Sequence, residues 1–210
     1  MSGTRRIWDI SQVLRPGLPV WPGDTPFALE RVWDMVRGAP VNVARATMST
    51  HAGTHGDAPL HYAPGAADSA ACTLEPYLGE CLVVDARHAA GRVEPGDLPP
   101  LGGARRVLLR TFDRFPHDRW VSDFTAIAPA TIAHLAAAGV VLIGTDAPSL
   151  DPENSQEMAA HQAVLAADMR ILEGLVLDDV PPGPYELIAL PLPIAGADAS
   201  PVRAVLRELP

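Results

Sequence analysis

The sequence predicts a mixed α/β fold, and the patterning of its 210 residues carries that prediction. Short runs rich in Val, Ile and Leu recur along the chain and are bounded by Gly, Pro and Asp, which is typical of β-strands. Helical patterns are fewer, and the absence of a repeat of fixed period argues against a solenoid or a propeller. The predicted strands are 7–10, 41–48, 81–85, 106–110, 140–144, 169–172 and 186–190.

Two helices are predicted between these strands. The clearer one covers 129–138, because Pro129 suits the first turn of a helix and a glycine follows its last residue. The second covers 156–167, with Asn154 as its N-cap and Glu157 reaching back to that cap.

The C-terminal segment is ambiguous. Its apolar residues over 202–209 have helical spacing and follow Ser200 and Pro201, which suit an N-cap and a first turn. The same segment is rich in Val and Leu and is equally compatible with a buried strand, because so short a run does not fix a period.

Composition bounds the class of protein. A hydrophobic content of 48% supports a buried core, and we expect one domain over 1–210. The net charge of −9 without a cluster of basic residues argues against a nucleic-acid partner. The apolar runs are too short to cross a bilayer, and residues 1–9 lack the apolar stretch of a secretory signal, so we expect a cytoplasmic location.

One short stretch indicates a metal site. The eleven residues from His51 to His61 read HAGTHGDAPLH and hold three of the seven histidines. Two glycines and a proline oppose a helix here, and an extended chain would place His51, His55, Asp57 and His61 on one face. Imidazole and carboxylate suit Zn²⁺, Mn²⁺ or Co²⁺, so metal-assisted hydrolysis is the predicted chemistry. The alternative is a proline-rich surface loop with solvated histidines.

Further ligands must come from elsewhere in the chain, since Cys72 and Cys81 have no metal-binding spacing. His161 lies in an alanine-rich predicted helix, and Glu173 lies in a run rich in leucine. A buried carboxylate without a partner costs several kcal/mol, so a metal would account for Glu173. A helix cap or an ion pair with Arg170 would account for it equally well.

The motif carries a family resemblance. The string from His51 to Tyr62 resembles the H-x-G-T-H-x-D-x-P-x-H signature of the cyclase family of metal-dependent hydrolases. Within that family, further segments are similar to those of the bacterial-type kynurenine formamidases, or arylformamidases, and the similarity runs nearly end to end. These segments are 9–11, 20–24, 144–152, 171–175, 177–181 and 197–203.

The resemblance implies a site with two metal ions, usually zinc. His51, His55 and Asp57 would hold one ion, Asp57 and Glu173 would bridge the pair, and His161 would complete the second ion's ligands. The implied fold is a swivelling β/β/α arrangement in which the C-terminal segment is a strand, and the implied assembly is a homodimer. For the C-terminal segment, we follow the resemblance.

The implied reaction is hydrolysis of the formamide of N-formyl-L-kynurenine to L-kynurenine and formate in tryptophan catabolism. His61 would donate and accept the proton, and Trp21 would line the substrate pocket. His61 as a third metal ligand and Trp21 as a core residue remain alternatives, and Arg203 suits either a substrate carboxylate or a structural ion pair. Rival functions are a related hydrolase that opens a cyclic amide such as isatin, with manganese, and a non-catalytic metal-binding module.

Overall fold

The computed structural model describes residues 5–210, which form thirteen β-strands and two α-helices. The helices are α1 (Pro129–Ala137) and α2 (Ala159–Ala166). The strands are β1 (Ile7–Asp9), β2 (Ala28–Trp33), β3 (Val43–Thr47), β4 (His55–Asp57), β5 (Leu78–Asp85), β6 (Arg92–Val93), β7 (Arg106–Arg110), β8 (Ala126–Ile127), β9 (Leu142–Thr145), β10 (Arg170–Glu173), β11 (Gly183–Ile188), β12 (Ala199–Pro201) and β13 (Val205–Arg207).

Nine of these strands form one mixed sheet in the order β1-β13-β11-β5-β7-β9-β10-β4-β12. Its centre, from β5 to β10, is parallel, and the flanking pairs are antiparallel. Side chains of β7 alternate between two cores, since Val107 and Leu109 pack with the helices while Leu108 packs on the opposite side. A parallel strand buried on both faces has a continuous apolar sequence, which is why these runs were predictable. The predicted mixed α/β fold with few helices is confirmed.

Helix α1 lies where the sequence predicts it, but α2 is shorter than its prediction. It begins at Ala159, and the predicted cap at Asn154 is wrong. The carboxylate of Asp151 accepts the backbone N–H groups of Ala160 and His161 instead, each at 3.0 Å. A capping group supplied by the preceding loop therefore sets the start of the helix.

The helical interpretation of the C-terminal segment is wrong, and the strand implied by the resemblance is confirmed. Leu206 of β13 pairs with Trp8 of β1 on one side and with Leu187 of β11 on the other. Ser200 caps no helix, because its hydroxyl accepts the Leu192 N–H at 2.7 Å. Strand pairing with distant segments overrides the local spacing here.

Strands β2 and β3 pair with each other as a separate antiparallel ribbon. Every residue of both strands is exposed, although the segment contains many large apolar side chains. We call this segment, residues 28–47, the hairpin arm. Its exposed large apolar residues are Leu29, Val32, Trp33, Met35, Val36, Val41 and Val43.

Among the described residues, none of the helices has the length and hydropathy of a membrane span.

Candidate metal centre

The centre is built where β4 and β10 lie side by side. Their antiparallel register sets Glu173 opposite His55 and Ile171 opposite Asp57. His55 and Asp57 are two residues apart on one strand, so their side chains share a face. Both are buried, as is Glu173.

The extended path predicted for 51–61 holds only over β4. Gly53 adopts a φ of +71° in the turn before the strand, a conformation that favours glycine. His61 ends a single turn of 3₁₀ helix that begins with Pro59. These two turns fold the chain back, so His51 and His61 approach the centre from bends on either side of the strand.

The structure brings all five predicted ligands together, with Asp57 in the middle of the other four. Its Oδ1 lies 3.2 Å from His51 Nδ1 and 3.5 Å from His55 Nε2. Its Oδ2 lies 3.4 Å from His161 Nε2. Glu173 completes the group, with its oxygens 3.3 Å from His55 Nε2 and 3.5 Å from His161 Nε2.

Each histidine of this group has one ring nitrogen turned outward to an acceptor. His55 Nδ1–H donates to the Gly53 carbonyl at 3.0 Å, and His161 Nδ1–H donates to Asp151 at 2.7 Å. His51 Nε2–H donates to Asp198 at 3.1 Å. Such outward bonds fix the tautomer and aim the other nitrogen's lone pair inward.

The inward-facing atoms fit a divalent cation. His55 Nε2 and both oxygens of Asp57 are buried and lack a hydrogen-bond partner among the described residues. Lone pairs of imidazole and carboxylate that face one another in a buried space need a shared positive charge. Ligand atoms lie within 4.8 Å of one another in two triads, and Asp57 belongs to both. One triad adds His51 and His61, and the other adds His55 and Glu173.

Protons would be held tightly in the same space without a cation. Burial opposes the charged form of His51, but the adjacent carboxylates of Asp57 and Asp198 outweigh it and raise its pKa to about 9. The pKa of His161 is likewise raised, against burial, by Asp151, Asp57 and Glu173. Burial raises the pKa of Asp57, but the nearby histidines lower it by more than burial raises it, so the carboxylate remains ionised.

A pocket reaches this cluster from the surface. His51, His55, His61 and Glu173 line it together with aromatic residues that include Trp21, as the resemblance implies. Trp21 packs edge to face on Trp120, with ring centroids 5.3 Å apart. The site can therefore present a cation and a histidine to an aromatic ligand.

Two acidic residues of the centre, Asp151 and Asp198, were not predicted from the sequence. Both sit far from the motif in sequence, and only the fold brings them to His161 and His51. A loop aspartate just before a predicted helix was the one signal for Asp151.

Two arginines that the sequence suggested as partners in the site form ion pairs with other residues. Arg203 forms an ion pair with Asp9 at 2.9 Å and does not line the pocket, so the structure places it in a structural pair. Arg170 pairs with Asp168 rather than with Glu173.

The fold and a buried cluster of side chains able to bind metal are now established, and residues 8–152 match a family model described as "Putative cyclase". The chain belongs to the cyclase family, which confirms the resemblance. Two curated relatives, from Erythrobacter litoralis and Sphingopyxis alaskensis, are both named kynurenine formamidase. The first is 64% identical over 206 residues, which cover 98% of this chain and 95% of the relative. The second is 63% identical over 206 residues, which cover 97% of this chain and 99% of the relative.

Solved structures agree on the fold. A structure described as a predicted metal-dependent hydrolase from Bacillus stearothermophilus has 28% identity and a TM-score of 0.84, over 99% of this chain and 100% of that one. Isatin hydrolase A from Labrenzia aggregata has 24% identity and a TM-score of 0.81, over 97% and 94%. The second likeness concerns the fold alone.

Proposed function

We propose that this chain hydrolyses the formamide of N-formyl-L-kynurenine to L-kynurenine and formate, a step of tryptophan catabolism. The observation that carries the proposal is the buried Asp57 carboxylate at the end of an aromatic pocket. Its oxygens have no hydrogen-bond partner among residues 5–210, and inward-facing imidazole nitrogens surround them. The high identity to relatives named kynurenine formamidase supports the choice of substrate.

The cofactor in this proposal is a pair of divalent ions, with zinc preferred and manganese or cobalt as alternatives. His51, His55 and Asp57 would hold one ion, Asp57 and Glu173 would bridge, and His161 would complete the second. Asp57 belongs to both triads of possible ligand atoms, which supports two ions, while the presence of His61 beside His51 in one triad keeps His61 open as a ligand. Bound there, divalent ions act as Lewis acids and lower the pKa of water toward neutrality.

In this proposal, the chain's own residues position the substrate and move the proton. The leaving group is an aniline-type nitrogen, which needs a proton as the C–N bond breaks, and a histidine suits that transfer at neutral pH. His61 lines the pocket with its side chain 29% exposed, while His55 and His161 are buried. Trp21 offers its ring to the flat anilide, and its packing on Trp120 restricts its motion.

The rival functions are tested in the same experiment. Formate release from N-formyl-L-kynurenine and ring opening of isatin are measured side by side, before and after treatment with a chelator. We expect the first reaction to dominate, to be lost on chelation and to return with added zinc. Activity that survives chelation would refute the metal mechanism, dominant isatin opening would favour the cyclic-amide reaction, and no activity would favour a binding module.

A matched pair of variants localises the activity. His55→Ala removes an imidazole whose Nε2 faces Asp57 and Glu173, and we expect it to lose bound metal and activity. His134→Ala removes an exposed histidine of α1 and serves as the control. Equal activity in the two variants would contradict the assignment.

We also propose that the chain forms a homodimer through the hairpin arm. Exposed apolar side chains concentrated on one separate ribbon are typical of an interface between subunits. Val36 is 95% exposed, and a second copy would remove it from water. Val36→Glu is expected to raise the dimer dissociation constant in sedimentation measurements, whereas Val13→Glu, at a residue 74% exposed outside the arm, is not. The cytoplasmic location and the single domain over 1–210 stay predictions.

A further inference from the structure

Arg119 is distinguished by its position among the charged residues of the pocket. The chain has 16 basic residues, all of them arginine, and Arg119 is the one that lines the pocket within the described part of the chain. It is exposed and forms no hydrogen bond or ion pair with any of residues 5–210. Its guanidinium is therefore available to a ligand.

The loop around Arg119 is anchored on both sides. Before it, Phe115 N–H donates to Asp178 at 2.8 Å, and the His117 carbonyl accepts from Arg15 at 3.1 Å. After it, Trp120 Nε1–H donates to Glu153 at 2.8 Å. The backbone of Arg119 is thus fixed at the pocket edge, while its side chain keeps its freedom.

Apart from the histidines, the other charged residues of the pocket lining are acidic. They are the carboxylates of Asp24, Asp146, Glu153 and Glu173, and the chain as a whole carries a net charge of −9. At neutral pH the amino-acid end of the substrate carries an ammonium, which the acidic side chains suit, and a carboxylate, which needs a cation on the protein. Arg119 is the cation placed to meet it.

The inference rests on the proposed function, because the substrate fixes which end lies outward. The formamide must reach the buried cluster of His55 and Glu173, and the ring then lies along the aromatic wall of Trp21 and Trp120. The amino-acid end of the substrate is left at the exposed side of the pocket, where Arg119 is. A planar guanidinium binds a carboxylate through two parallel hydrogen bonds.

We propose that Arg119 binds the α-carboxylate of the substrate and makes the enzyme selective for aryl formamides that carry such a group. Its role is in binding, and the scissile bond is not in contact with it. Neutral aryl formamides of similar size would then be hydrolysed without help from this residue.

The test compares two substrates in two variants. The substrates are N-formyl-L-kynurenine and 2′-formamidoacetophenone, which keeps the ring, the ketone and the formamide but lacks the amino acid. Arg119→Gln removes the guanidinium, and Arg114→Gln removes an exposed arginine of the same loop that does not line the pocket. Thermal melting and bound metal, measured for each protein, establish that the fold and the site are intact.

We expect Arg119→Gln to raise KM for N-formyl-L-kynurenine about tenfold, to change kcat little and to leave the neutral substrate unaffected. Arg114→Gln should match the parent chain on both substrates. An equal effect of Arg119→Gln on both substrates, or no effect on either, would overturn the carboxylate subsite while leaving the hydrolase activity standing. Failure of the parent chain to hydrolyse either substrate would overturn the proposed function and the subsite with it.

Discussion

The hydrogen bond from His161 to Asp151 offers a sharp test of the metal centre. Asp151 is buried, and its Oδ2 accepts both the His161 backbone N–H and the ring Nδ1–H. Its Oδ1 accepts the Ala160 N–H. In Asp151→Asn, one of these oxygens becomes an NH₂ group that faces a donor, and the negative charge is lost.

The magnitude follows from these contacts. A buried hydrogen bond to a charged group contributes about 1.5–3 kcal/mol, and loss of such a partner of a metal-binding histidine weakens metal affinity about 10–100-fold. We expect Asp151→Asn to weaken zinc binding within that range. The loss of one capping bond should lower the stability of the fold by only about 1 kcal/mol.

Asp198→Asn is the matched control, since Asp198 holds His51 in the same way from a side chain that is 44% exposed. Solvent screens that pair and can replace it, so we expect an effect of less than about fivefold. Zinc affinity is measured on metal-free protein by competition with a chromogenic chelator at fixed pH. Unchanged affinity in Asp151→Asn, or a larger loss in Asp198→Asn, would refute the reasoning.

Four further predictions concern protons, turnover and packing. Because the metal-free protein holds a proton on His51 with a pKa of about 9, apparent zinc affinity should rise up to about tenfold per pH unit below that value. The contribution of His51 to the stability of the metal-free protein is full below pH 6.5 and should fall by about 3 kcal/mol as pH rises to 9, measured by urea unfolding. His61→Ala should keep its zinc by elemental analysis and lose turnover, and loss of zinc would instead make His61 a ligand. Gly174 has a φ of +62°, and an added Cβ would lie 2.7 Å from the Gly53 carbonyl oxygen, so Gly174→Ala should lower the free energy of unfolding by about 2–4 kcal/mol in the same assay. Gly96→Ala, whose Cβ would meet open space, should change that free energy by less than about 0.5 kcal/mol.

Much of the central sheet was predictable because burial on both faces leaves its mark on each strand separately. The run 106–110 and the helix that begins at Pro129 need no knowledge of their neighbours. The C-terminal strand was not predictable from its own residues, because its two partners lie about 20 and 200 positions away. The spacing of apolar residues within a segment does not show that distant strands will pair with it.

The same division applies to the candidate site. His51, His55, Asp57 and His61 are close in sequence, so their chemistry is visible as a motif. Asp198 looks like any turn aspartate, and it reaches His51 because β12 pairs with β4. Residues that orient a ligand from a distance carry no local signal, whereas the ligands themselves do.

The packing of two glycines explains why the motif and the distant Glu173 form one unit. Gly174 follows Glu173 directly, and its carbonyl accepts hydrogen bonds from the Thr54 hydroxyl at 2.6 Å and from the Gln12 amide at 2.9 Å. An added Cβ on Gly174 would lie 2.7 Å from the carbonyl oxygen of Gly53, so the two backbones touch without room for side chains. The turn that bends His51 toward Asp57 is thereby held against the end of β10, and Glu173 cannot shift by one residue without losing both contacts. Close packing at Gly53 and Gly174 therefore sets the distance between His51 and Glu173, so these glycines position the ligands although they do not bind the metal themselves.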